Sequence, residues 1–379
     1  MKHIGTLLVT LSMASFALGQ VWTITSADFS QQDGTLERIT PAAVALRTGK
    51  GGEIPWSEIV TLEQKTLAAA ASSASPDALA LYTRDGQKLI GAPVGLAGEK
   101  LTWRSAWGEF EIALDEVSGW SPANTAPPAA SANEDTVILP NGDAVRGIVE
   151  GSEKGLSVAQ GTATTEVKWE SVRGVSLAKI GDGRPVVAGL RIRLADGSVC
   201  LAKSAQLLGD GQLQVERTAG ASLKLPLRIV QSIQNEGGRA QFMAWLKPAE
   251  LRYTPFTQLS EEAPARSERI EQVVLDGRNY RDVIQLRPKT IFAVESPVDG
   301  NFHMRYACGK SGQFTDMDMK VSVGGSIIAD KKHIRSAKPG GVIEASVKKG
   351  DMVRIEVDYG QNFDVQDFLW LLDAAFVAR

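Results

Sequence analysis

The sequence predicts an all-β protein, with tandem small β-barrel-like repeats followed by a C-terminal β-sandwich. Three observations carry this expectation. A spaced apolar pattern recurs four times, Asp-Gly or Asn-Gly pairs precede it, and the last third consists of short alternating runs between Gly, Asp and Pro turns. At 379 residues the chain exceeds one ordinary domain. Its 22% charged and 43% hydrophobic residues are globular proportions, so most of it should fold. A formal charge of −3 supplies no basic surplus to hold a polyanion, which argues against nucleic acid as a partner.

The first element is a targeting segment. Lys2 precedes the apolar run "IGTLLVTLSMASFAL", and Ala17-Leu18-Gly19 closes it with a small-residue site, the pattern of a signal peptide over residues 1–19. No later run reaches the ~18 apolar residues of a spanning helix. The expected product is exported, periplasmic or secreted, with no transmembrane segment after cleavage.

The repeats come next. An apolar pattern with steps of two, three and three residues reads Ile54, Trp56, Ile59, Leu62, then Ile112, Leu114, Val117, Trp120. It returns as Val167, Trp169, Val172, Val175 and as Leu225, Leu227, Val230, Ile233. Ahead of each copy lies an alternating pair: Val44/Leu46, Leu101/Trp103, Leu156/Val158 and Leu213/Val215. Earlier still stand Asp33-Gly34, Asp85-Gly86, Asn141-Gly142 and Asp196-Gly197, which favour tight turns because their backbones tolerate positive φ. Alternation marks a strand with one buried face, and a step of two followed by three marks a strand running into one helical turn. The resulting unit resembles Sm-type small barrels, with expected boundaries 20–66, 79–120, 135–178 and 189–236. The segments "LAAAASSASPDA" and "SPANTAPPAASANE" read as spacers between units. Trp56 and Trp169 occupy the slot that Leu114 and Leu227 fill elsewhere, which points to core packing. Trp107 lies off the pattern and is the best candidate here for an exposed aromatic.

From residue 239 the character changes. The segments "FMAWLKPAELRYTPF", "VVLDGRNYRD", "VRIEVDYGQNFDVQD" and "LLDAAF", in that order, resemble the NPCBM family of carbohydrate-binding modules over residues 239–379. That resemblance implies a jelly-roll, galactose-binding-like sandwich and a glycan partner. It also implies a ligand set on the family's loops: Tyr280, Arg287, Asn362, Asp364, Gln366 and Asp367. Two departures stand out. Arg287 lies near a position where the family carries histidine, and the loop ending at Asp367 runs into Phe368, Leu369 and Trp370, where the family carries polar residues.

Catalytic chemistry finds little support. His303 is expected on a strand among apolar neighbours and His333 in a solvated basic turn, with no motif joining either to a nucleophile. No Cys/His spacing suits a metal, and no phosphate loop is present. Asp316 and Asp318 in "DMDMK" read as exposed carboxylates, Asp364 and Asp367 as members of a hydrated loop. Cys200 and Cys308 fall in different domains and read as buried thiols. The expectation is a non-catalytic binding protein without cofactor or metal, its partner a glycan. The alternative is a scaffold of the cell envelope that binds protein and has no sugar site.

Overall fold

The computed structural model describes residues 20–48, 52–65, 78–125, 133–152, 155–178, 189–218, 220–254, 267–309, 315–361 and 367–379. The expected signal segment and nearly all of the spacer "LAAAASSASPDA" lie outside them. The described residues are all-β, their only helical pieces being single 3-10 turns. They divide into two units, one within Met1–Ser26 and Ser30–Gly237, the other within Ala27–Phe29 and Gly238–Arg379. No helix among them is long and apolar enough to cross a membrane.

The first unit repeats one strand arrangement four times. The first group is β1 (Val21–Ser26), β2 (Gln31–Ile39), β3 (Ala43–Arg47), β4 (Glu53–Pro55), a 3-10 turn (Trp56–Glu58) and β5 (Ile59–Gln64). The second is β6 (Leu79–Thr83), β7 (Lys88–Ala97), β8 (Lys100–Ser105), β9 (Gly108–Ala113), a turn (Leu114–Glu116) and β10 (Val117–Pro122). The third is β11 (Asp135–Ile138), β12 (Ala144–Ser152), β13 (Gly155–Gln160), β14 (Ala163–Lys168), a turn (Trp169–Ser171) and β15 (Gly174–Ser176). The fourth is β16 (Leu190–Leu194), β17 (Val199–Leu207), β18 (Gln212–Arg217), β19 (Leu223–Pro226), a turn (Leu227–Ile229) and β20 (Val230–Asn235). In each group the antiparallel order is fifth, first, second, third, fourth strand.

The recurring apolar steps map onto this order residue by residue. The two-residue step runs from the fourth strand to the first residue of the 3-10 turn, where period two gives way to a helical rise. The following three-residue step crosses that turn. Trp56 is buried and donates its indole N–H to the Thr40 carbonyl at 2.9 Å. Trp169 and Leu114 are partly buried against the same core, so the slot is a packing slot. Trp107, the candidate for an exposed aromatic, is partly buried: it packs against this core and stacks on Phe110, with ring centroids 5.0 Å apart.

Gly86, Gly142 and Gly197 turn with φ near +90°, as an Asp-Gly or Asn-Gly turn requires. Asp33-Gly34 does not turn. It lies within β2, where Asp33 pairs with Thr23. Gly34 is needed there because a Cβ would fall under 3.0 Å from the Arg47 carbonyl oxygen and the Thr48 methyl.

The groups are themselves joined by strand pairing. The fifth strands of the first and fourth groups pair through Leu62↔Ile233, and those of the second and third through Trp120↔Val175. The second strands of the second and fourth groups meet at Lys88↔Val199. Around that last junction runs a buried polar network. Asp85 accepts bonds from the hydroxyls of Thr83 and Thr218 and from the Gln87 amide, while Gln87 accepts from the Leu201 N–H at 3.3 Å.

The second unit is a two-sheet sandwich of jelly-roll type. One sheet runs β23 (Glu268–Leu275), β24 (Arg278–Leu286), β31 (Leu369–Ala378), β26 (Gly300–Cys308), β29 (Ile343–Val347), with β21 (Ala240–Phe242) pairing the far end of β31. The other runs β22 (Glu250–Tyr253), β25 (Thr290–Glu295), β30 (Met352–Tyr359), β27 (Met317–Val323), β28 (Ser326–Ile334). Strict alternation fills the space between them: Met317, Met319, Val321 and Val323 from β27 meet Val353, Ile355 and Val357 from β30, facing Phe302, Leu371 and Phe376.

Candidate functional site

At one end of the sandwich the entries to β27 and β31 come together. Asp316 precedes β27 and Asp367 precedes β31 by two residues. Both are buried, at 0% and 2% exposure, against the expectation of exposed carboxylates in hydrated loops. Burial is tolerated because each carboxylate is supplied with donors. Asp367 Oδ2 accepts the Asp316 backbone N–H at 3.1 Å. Asp316 accepts from Arg335 Nη2 at 2.9 Å, the Gln361 N–H at 2.9 Å and His333 Nδ1 at 3.2 Å. Its own carbonyl accepts the Gly360 N–H at 2.8 Å.

The hydrogen bond from Arg335 is the main reason the Asp316 carboxyl is held down to about 2. The Gln361 N–H and His333 add to it against the opposing effect of burial. Asp316 therefore stays ionised at any ordinary pH and acts as an anchor. Arg335 and His333 end on it while their side chains remain about half exposed. His333 is not in a free turn: it closes β28 with φ of 56°, and its backbone N–H donates to Asp318 at 3.0 Å. Cys308 lies beneath the pair. Burial, with the nearby Asp367 and Asp316 charges, pushes its thiol up to about 12.

Of the residues expected to bind ligand, Arg287 and Asp367 are brought to this end. Arg287 is exposed just past β24, and its guanidinium lies over the Phe368 ring, 5.3 Å from the centroid. Asn362, Asp364 and Gln366 lie outside the described residues. Tyr280 is elsewhere. It sits on β24, 3% exposed, among Val283, Ala307 and Leu372. Seven residues of extended chain, roughly 20 Å, separate it from Arg287, too far to share one sugar ring. The residues that complete the site, namely Asp316, His333, Arg335 and Phe368, were absent from the expected ligand set. For Asp316 the only sequence signal was an acid at a strand entry. That signal does not tell a buried anchor from a surface charge.

No protein-family model matches the chain, and no curated protein matches it. Solved structures show a distant likeness. A CBM51 module from Clostridium perfringens GH95 in complex with methyl-galactose is 10% identical, covering 36% of this chain and 99% of that one, at a TM-score of 0.29. Tandem CBM51 modules of the family 98 glycoside hydrolase from Streptococcus pneumoniae SP3-BS71 are 10% identical over 94% of this chain and 88% of theirs, at 0.28. The CBM51-2 and INT domains of Clostridium perfringens ZmpB, with GlcNAc, are 13% identical over 54% and 43%, at 0.30. At these scores the likeness transfers no residue role to this chain.

Proposed function

We propose that this is an exported, non-catalytic binding protein that takes glycan at the rim of its C-terminal sandwich. One observation supports the reading above others. The Arg287 guanidinium stacked over Phe368 stands next to the buried Asp367–Asp316 pair, which holds Arg335 and His333 in fixed poses at the surface. Sugar recognition calls for planar donors aimed at hydroxyls and an aromatic group for the ring face, preorganised so that little entropy is lost on binding. The resemblance of residues 239–379 to NPCBM modules supports the same reading, and the signal-like residues 1–19 support export. The strand groups of the first unit read as four Sm-like small barrels spanning 20–66, 79–120, 135–178 and 189–236, since all share one strand order.

A glycan array probed with the full chain, followed by calorimetric titration of any hit, tests the proposal. Phe368→Ala and Arg287→Ala should each weaken binding at least tenfold. A chain that binds no glycan, or binds equally well with both substitutions, refutes it. The pairing of the four groups through their fifth strands favours a second reading, an envelope scaffold whose partner is a protein. Partner capture that survives both rim substitutions would select it.

A further inference from the structure

The face of the six-membered sheet turned away from the sandwich interior carries a polar cluster about 20 Å along β24 from the rim. Arg278 and Tyr280 lie on β24, Asp373 on β31, Arg305 and His303 on β26, and Glu344 on β29, so the cluster crosses four adjacent strands. Arg305 is cross-strand partner to Leu372, and His303 to both Ala375 and Glu344. Between those positions the register slips, and Asp373 adopts φ of 50°, a strained conformation for a residue other than glycine. That bulge lets the buried Asp373 carboxylate accept Arg278 Nη2 at 2.6 Å, while the Arg278 guanidinium covers the Tyr280 ring at 4.9 Å.

Three nitrogens of this cluster are buried without a hydrogen-bond partner among the described residues: Arg278 Nε, Arg305 Nε and His303 Nε2. His303 is itself 6% exposed. Arg305 makes no hydrogen bond or ion pair among the described residues. Buried nitrogens ordinarily have a partner, and three in one cluster mark a place for one. Their chemistry defines a complement. The two arginine Nε–H groups donate; Asp373 already neutralises Arg278, so it is the charge of Arg305 that calls for an anionic oxygen. His303 donates its Nδ1–H to the Glu344 carboxylate at 2.9 Å, which fixes the neutral tautomer and leaves a lone pair at Nε2. Burial lowers the affinity of this imidazole for a second proton despite Glu344, so the lone pair is present at neutral pH. Nε2 thus calls for a hydroxyl donor.

We infer that this outer face holds a hydroxy acid, of which a uronic acid is the sugar form, with its carboxylate on Arg278 and Arg305 and a hydroxyl on His303 Nε2. The site is independent of the rim proposed above at Arg287 and Phe368.

The test is titration calorimetry of the full chain with D-galacturonate, D-galactose and acetate, with circular dichroism to verify folding. Galacturonate should bind at least tenfold more tightly than galactose, which lacks the carboxylate, or acetate, which lacks the hydroxyls. Arg305→Lys keeps the charge and loses the Nε donor, and should weaken galacturonate at least tenfold, as should His303→Phe. If Arg305→Lys does not fold, Arg278→Lys serves the same purpose. The inference is overturned if galacturonate does not bind, if both lysine variants bind it like the parent, or if acetate binds as tightly, which would indicate a bare anion site. It is overturned equally if Arg287→Ala abolishes galacturonate binding, since that would move the ligand to the rim.

Discussion

Gly360→Ala tests whether Asp316 is an anchor. Gly360 does not have the positive φ that excludes other residues, so alanine is compatible with its backbone and on its own would stabilise slightly by restricting the unfolded chain, by about 0.5 kcal/mol. The obstacle is Asp316. A Cβ at position 360 would fall under 3.0 Å from Cγ and both carboxylate oxygens. Asp316 cannot yield freely, because moving it breaks bonds to Arg335, Gln361 and His333. Arg335 and His333 are near half exposed, so water replaces much of what they lose. The Gln361 bond and the crowding itself remain, for a net loss of roughly 2 kcal/mol. For a sandwich of this size that is a fall in Tm of roughly 6 °C by calorimetry. In an Asp316→Ala background the added Cβ has room, and Gly360→Ala should be neutral or mildly stabilising. The double-mutant cycle should therefore show coupling of about 2 kcal/mol. Additivity within about 0.5 kcal/mol would refute the claim that Gly360 is required by the Asp316 carboxylate.

Three further outcomes follow from the structure. Because the Asp316 carboxyl is lowered from 3.8 to about 2, its contribution is fully present above pH 4 and is lost as pH falls through about 2; solvent screening at Arg335 limits it to about 1 kcal/mol. Asp316→Asn should flatten that part of the acid-unfolding profile, and parallel profiles would contradict the assignment. Burial pushes the Cys200 and Cys308 thiols both up to about 12, so neither should react with a thiol-disulfide reagent at pH 8 until urea is added. Reaction of the folded chain would place one of them at the surface. Trp120, fully buried at the junction of β10 with β15, should cost about 3–5 kcal/mol on substitution by alanine, with hydrogen-exchange protection lost in both strands together. Loss confined to β10 would show that the second and third groups are stable separately.

The all-β class was legible because it depends on local periodicity. A Leu or Trp at every second position, then a three-residue step, reports a strand and a 3-10 turn whatever the rest of the chain does. Asp33-Gly34 shows the limit of such signals. The dipeptide permits a turn, but glycine also permits close approach, and only the neighbouring β3 decides that it serves the second role. The rim was less legible still. Asp316 and Asp367 read as hydrated because carboxylates usually are, and their burial depends on donors arriving from far along the chain. Arg335 lies across the β27–β28 hairpin, and Gln361 follows β30. For Tyr280 the opposite holds: its place beside a motif suggests a loop, whereas the β23–β24 hairpin turns before it, at Asp276 and Gly277, and puts Tyr280 three residues into β24.

The pairing of the repeats follows from the repeat itself. Leu62, Trp120, Val175 and Ile233 occupy one position of the pattern, three residues after the start of the fifth strand's apolar pair. In the structure that position meets itself, Leu62 opposite Ile233 and Trp120 opposite Val175, in antiparallel strands. Lys88 and Val199, each three residues after its Asp-Gly aspartate, likewise meet at the junction of the second and fourth groups. Antiparallel pairing of equivalent residues is a local two-fold relation, the form of contact that one self-complementary surface makes with a copy of itself. A unit of about 45 residues buries too little apolar surface to be robust alone, and its unpaired fifth strand is an open edge. Joining two such edges removes both liabilities at once. The nested order, first with fourth around second with third, uses up all four fifth-strand edges. The same logic explains why the apolar pattern persists to its last member: in an isolated group that residue would lie at an edge, and here it lies in the middle of a continuous sheet.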